Sequence, residues 1–237
     1  MIMLKTAIYL LLLLCTSGIC KSQSKAFSDP AQMYNRLLLE KGNSVSRIGN
    51  FKVNGTPYLY GGQQMGVLFM HGEKAAYAYL SYNTYDQTME YVATLNAGQP
   101  LLKPTGIVDS FKIIKNKELS FDNDLLFVSA KIVNATDNSF YQKVVGGTKF
   151  LLFKKYKSDL GIVSTNYIQS DLRQFDLSYE YFYLNAASNE LKKIKPNLGF
   201  LKKEFKAETD ISAIASNDDF SYEPENTLIK IFQVLNQ

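Results

Sequence analysis

The sequence predicts a mainly β protein with flanking helices. The expected fold is an antiparallel meander, sandwich or barrel of hairpins, with a short N-terminal helix before it and C-terminal helices after it. Three observations carry that expectation. Short segments rich in Tyr, Phe, Val and Ile recur from residue 51 to about residue 196, and such side chains pack well on a pleated surface. Turn formers separate them at Asn54-Gly55, Gly61-Gly62, His71-Gly72, Asp86-Gln87, Asp122-Asn123-Asp124 and Gly146-Gly147. Helical periodicity is confined to the two ends, so the pattern is not the strand–helix alternation of a parallel sheet.

Residues 1–22 read as a secretory signal peptide. Lys5 gives a short positive start, Ala7 to Leu14 are all apolar, and the small or polar Thr16, Ser17 and Gly18 follow. That run is shorter than the roughly 20 residues a membrane-spanning helix needs. No other run approaches it, so the mature chain is expected to lack a transmembrane helix. Cleavage after Ser22 would put Cys20 and Ser22 at the small-residue positions and leave Gln23 first. The alternative is lipidation of Cys20, for which the preceding Ile19 is a poor fit. Both cysteines, Cys15 and Cys20, then belong to the leader, and the mature chain forms no disulfide and depends on burial. The expected location is periplasmic, outer-membrane-associated or extracellular, with anchoring only if Cys20 is acylated.

Residues 23–50 are expected to form a helix and a linker. Asp29 can cap the helix, Pro30 suits its first turn, Met33, Tyr34, Leu37 and Leu38 share a face, and Gly42 ends it. Residues 51–237 form the β-rich domain. In "FYQKVVGGTKFLLFKKY" two strand-like runs flank Gly146-Gly147, which predicts a hairpin turn with positive φ. Tyr77, Tyr79 and Ser81 alternate with Ala76, Ala78 and Leu80, giving one large-residue and one small-residue face. Helices are expected from about residue 197: Asn197 as a cap, Leu198, Leu201 and Phe205 at helical spacing, and a last stripe of Leu228, Ile231, Phe232 and Leu235. "SNDDFSYEPEN" reads as an acidic loop.

Within "SYEYFYLNAASNELKKIKP", residues 178–196, Tyr179, Tyr181 and Tyr183 fall on one strand face and Glu180, Phe182 and Leu184 on the other. "NAASN" turns the chain, and "ELKKIKP" returns as a partner whose lysines discourage edge-to-edge association. A hairpin is the leading expectation. Tyr179, Tyr181 and Tyr183 are also the candidate ligand-binding residues, should that face look onto a cavity.

Little else suggests chemistry. His71 is the one histidine, so with no mature cysteine neither a catalytic triad nor a zinc site has its usual members, and no metal or cofactor is expected. Asp122 to Asp124, and Asp218, Asp219, Glu223 and Glu225, lack the spacing of an EF-hand loop. Two of the 26 basic residues, Lys5 and Lys21, lie in the leader, leaving 24 against 22 acidic ones, a surplus too small for generic nucleic-acid binding. A carboxylate pair for hydrolysis needs only to meet in space, and that alternative stays open. "NGT" at Asn54 and "NAT" at Asn134 fit the glycosylation pattern, which matters only in a host with that machinery.

Taken in order, "NGTPYLYGG", "LSYNTYDQTMEYV", "KFLLFKKYKSDL", "YEYFYLNAASNELKKIKPN" and "FLKKEF" give the chain a likeness. It resembles a group of exported proteins of Bacteroidota with no assigned activity, over roughly residues 50–206. The shared motifs are hairpins and turns, so the resemblance implies fold and export and carries over no catalytic residue. The resulting expectation is a non-catalytic envelope protein, a binding or accessory module whose partner is another envelope protein or a small apolar ligand. The alternatives are a carrier with an apolar ligand in a barrel cavity, and a carboxylate-dependent hydrolase.

Overall fold

The structure is a computed structural model that describes residues 52–70, 73–94, 101–103, 107–119, 122–162 and 172–237. The leader, the expected N-terminal helix, Cys20 and His71 lie outside the described residues. Contacts along the chain define two units, residues 1–54 with 162–173, and residues 55–161 with 174–237. Of the first, the described part is the strand β1 (Lys52–Asn54) and residues 162, 172 and 173.

The second unit is built on an antiparallel sheet, as expected from the hairpin texture. Its strands are β2 (Gln64–Met70), β3 (Glu73–Asn83), β4 (Thr88–Val92), β5 (Leu101–Lys103), β6 (Ser110–Ile113), β7 (Leu125–Ser129), β8 (Phe140–Val145), β9 (Phe150–Ile162), β10 (Leu172–Asn185) and β11 (Glu190–Ile194). The order across the sheet is β10-β9-β8-β7-β6-β2-β3-β4-β5, with β11 on β10. Two meanders, β2–β5 and β6–β11, therefore join through the β2–β6 ladder. No ladder among the described residues closes the sheet into a barrel.

The sheet nevertheless curls strongly. The tip of the β3–β4 hairpin reaches β9, although four strands separate β3 from β9 in the sheet order. Ser158 donates its amide to the Thr84 carbonyl at 3.0 Å, the two hydroxyls meet at 2.6 Å, and Gln87 donates to the Tyr156 carbonyl at 3.1 Å. Asn83 shapes this tip by accepting the Tyr85 and Asp86 amides, each at 3.0 Å, a side-chain mimic of a backbone turn. The concave face so formed is packed with rings. Phe111 stacks on Phe127 at 4.6 Å, and Phe140 meets Phe111 and Tyr82 edge-on at 5.0 and 5.5 Å. Ala78 and Leu80 from β3 join them, so the small-residue face of that strand is the inward one, while Tyr77 points to solvent.

Three helices complete the unit: α1 (Leu198–Glu204), α2 (Asn217–Tyr222) and α3 (Pro224–Leu235). Asn197 caps α1 by accepting the Phe200 amide at 2.8 Å. The expected acidic loop is in fact α2 followed directly by α3. Ser216 and Asp219 form a reciprocal capping box, and Pro224 sits at the start of α3, where its missing N–H costs nothing. Leu228, Ile231, Phe232 and Leu235 lie on Phe150, Leu152, Tyr181 and Tyr183, together with Leu201 and Phe205. On the opposite sheet face Tyr141, Phe153 and Leu184 pack beneath the loop carrying Ala130 and Val133. Asp137 in that loop takes the Tyr141 hydroxyl at 3.0 Å and pairs with Lys155.

The Gly146-Gly147 reading needs a correction. Neither glycine has positive φ. What Gly147 supplies is room: a Cβ there would sit 2.1 Å from Asn236 Oδ1. Asn236, just past α3, accepts the Lys149 and Phe150 amides at 3.0 Å and donates to the Phe150 and Phe232 carbonyls at 2.8 and 2.7 Å. It fastens the end of the chain to the β8–β9 turn.

Candidate functional site: a tyrosine seam around Lys154

Tyr179, Tyr181 and Tyr183 share one face of β10, as the alternation predicts, but they meet different surroundings. Tyr181 and Tyr183 are 3% and 4% exposed beneath the helices, whereas Tyr179 is 50% exposed and Leu177 on the same face is 53% exposed. The Tyr183 hydroxyl donates to Glu204 at the end of α1, and the Tyr181 hydroxyl donates to Glu225 in the first turn of α3 at 2.8 Å. Burial, and then these neighbouring carboxylates, push both phenols well above their ordinary value, because an anion there would lose water and face another anion.

The residue that organises the face is Lys154 on the adjacent strand β9, which sequence reasoning did not single out. Its ammonium pairs with Glu225. It also lies 4.2 Å from the ring centroid of Tyr179, 5.2 Å from Tyr156 and 5.7 Å from Tyr181. These distances suit a cation held against ring faces. Tyr156 donates to Gln142 at 2.8 Å, and its hydroxyl lies 3.4 Å from that of Tyr60. Burial, followed by the Tyr60 contact, raises the Tyr156 phenol. The cluster thus runs along the seam between the helix-covered core and the ring-filled concave face, and it emerges at Tyr179.

Tyr60 reaches the seam from an unusual turn. Tyr60, Gly61, Gly62 and Gln63 have φ of 57°, 81°, 81° and 49°, four successive residues in left-handed space. Glycine tolerates this freely, but Tyr60 and Gln63 do not. Such a conformation costs of order 1–3 kcal/mol per non-glycine residue and tends to be kept where it positions a side chain. Ser81 accepts the Gln63 amide at 2.8 Å, and Gln64 donates to the Tyr60 and Gly62 carbonyls, which holds the turn. The Gly61-Gly62 pair was a readable turn signal; the strain on its neighbours was not.

Three further acidic residues have structural partners. Asp124 accepts the Lys115 amide and pairs with Lys112, Asp219 caps α2, and Glu223 accepts from Asn226. Among the described residues no group of three or more His, Cys, Asp or Glu is placed to hold a metal, and no helix is long and apolar enough to cross a membrane. A cavity of about 220 Å³ between α2 and α3, bordered by Asp219, Glu223, Asn226 and Lys230, is smaller than typical small-molecule sites.

In the seam Lys154 and Tyr181 both engage Glu225, and Tyr156 donates to Gln142, while Tyr179 and Leu177 are the exposed side chains of this strand face. No family model, curated protein or solved structure matches the chain.

Proposed function

We propose that the chain is an exported, non-catalytic binding or accessory module of a bacterial cell envelope, one of the Bacteroidota group that its hairpins resemble. Residues 1–22 direct export, and the mature chain begins at Gln23. The observation that carries the binding role is the exposed tip of the seam. Tyr179 and Leu177 offer a ring and an apolar side chain on a long strand whose neighbours Lys154, Tyr181 and Glu225 are locked in place. Tyrosine on a rigid support binds at low entropic cost and dominates many protein interfaces. The partner is accordingly another envelope protein. Rings occupy the described concave face at Tyr82, Phe111, Phe127 and Phe140, which favours a surface contact over an apolar cargo carried inside.

The test is site-specific photo-crosslinking in cells that produce the full chain. A photoreactive phenylalanine analogue at position 179 is expected to trap a discrete envelope protein, while the same analogue at exposed Tyr77 does not. N-terminal sequencing of the product is expected to start at Gln23, and Cys20→Ser is expected to leave its mobility unchanged. Retention in the cytoplasm, or identical patterns from positions 179 and 77, would overturn the reading.

A further inference from the structure

The charge of the C-terminal third is segregated. Lys192, Lys193, Lys195, Lys202, Lys203 and Lys206 fall within fifteen positions, with Glu204 the one acidic residue among them. The next twenty residues carry Glu208, Asp210, Asp218, Asp219, Glu223 and Glu225 and no lysine or arginine. The six lysines are all exposed. Lys192 and Lys193 lie on β11, paired among the described residues only with β10; Lys195 follows it, Lys202 and Lys203 lie on α1, which is about 10 Å long, and Lys206 lies just beyond it. Lys192 ties β11 to α1, lying 3.4 Å from Glu190 and 3.9 Å from Glu204, and Lys193 pairs with Glu180. Lys195, Lys202, Lys203 and Lys206 take part in no ion pair among the described residues. Leu201 and Phe205 face inward, which leaves Lys202 and Lys203 on the exposed side of α1 and Lys206 exposed in the turn that follows it. Protection of a sheet edge accounts for the lysines of β11, and favourable placement at a helix end accounts for Lys202 or Lys203. Neither accounts for four unpaired cations gathered from the β11–α1 linker, from α1 and from the turn after it while the acidic residues lie together further on.

We propose that this β11–α1 edge is a docking surface for an anionic phospholipid bilayer, holding the exported protein against a membrane without a spanning segment. The occupant is chosen by charge complementarity: a lipid surface offers closely spaced phosphates at no fixed register, which suits flexible lysines and not a bidentate arginine site. Each lysine near such a surface strengthens binding about fivefold at low salt, and the attraction fades as the Debye length shrinks.

The test uses the secreted chain beginning at Gln23, produced with Cys20→Ser so that neither the apolar leader nor an acyl chain contributes, with flotation on vesicles of phosphatidylcholine alone or mixed with phosphatidylglycerol. Binding is expected only to the mixed vesicles and is expected to be lost on raising salt from about 50 to about 500 mM. Changing Lys195, Lys202, Lys203 and Lys206 together to Gln is expected to weaken binding on the order of 600-fold at low salt. The same charge change at exposed Lys115, Lys117, Lys131 and Lys149 is expected to leave most of it. Equal effects of the two quadruple variants, binding to neutral vesicles, no binding to either vesicle, or capture by polyphosphate but not by vesicles would each overturn the proposal.

Discussion

At Lys154 a single side chain serves three rings and a carboxylate, and the consequence is measurable. Lys154→Met keeps the apolar stem and removes the charge, leaving Glu225 accepting from the Tyr181 hydroxyl. Removing one member of a fully buried pair costs several kcal/mol, but the Glu225 side chain is 35% exposed, and water screens part of the loss. The expected destabilisation is about 1–2 kcal/mol, a fall in Tm of roughly 3–6 °C for a chain of this size. Adding Glu225→Gln to Lys154→Met should recover part of it, since the orphaned charge is gone. Thermal unfolding of the two single variants and the double variant gives the coupling directly; simple additivity would mean that the two groups do not interact.

At the scale of elements, the sequence displayed the strands and concealed their coverings. The period of two at Tyr179, Tyr181 and Tyr183 placed them on one face, and Asn197, Leu201 and Phe205 announced α1. Nothing local said that Glu225, over forty residues later in the chain, would meet Tyr181, because the partner of a strand face is fixed by tertiary packing. Ser216 and Asp219 did hold the spacing of a capping box, and with Pro224 they could have revealed α2 and α3 where an acidic loop was expected. Gly146-Gly147 shows the opposite failure: a turn signal whose reason lies in a third party, Asn236. Gly147→Ala puts a methyl group where that amide sits and breaks several of its four hydrogen bonds, so it is expected to cost about 2–4 kcal/mol. Gly146→Ala meets only the Lys143 side chain, at 3.0 Å, and is expected to cost less than about 1 kcal/mol. Urea titrations of the two variants check this; equal losses would restore the turn-conformation explanation and remove the clamp.

For the whole molecule, the lack of any cysteine after Cys20 and the abundance of tyrosine (16 in the chain) tie stability to phenols kept neutral. Burial raises Tyr58, Tyr82, Tyr141, Tyr156, Tyr181 and Tyr183 well above the ordinary phenol value of about 10. Nearby Glu90, Asp137, Glu225 and Glu204 add to the effect at Tyr58, Tyr141, Tyr181 and Tyr183 respectively. In the unfolded chain these phenols titrate near 10, and in the folded chain only at higher pH. Below pH 10 both states are neutral and the contribution to stability is complete. As pH rises through that value the unfolded state alone releases protons and is favoured progressively. The six groups occupy all three cores or, in Tyr58, the buried contact with Glu90, so their ionisation is expected to be cooperative. Tyrosinate absorbance should show a steep step, from these six phenols, that coincides with loss of the β-sheet circular dichroism signal. A smooth titration of all the phenols around pH 10, with the sheet signal intact, would mean that the rings are not held as the packing describes.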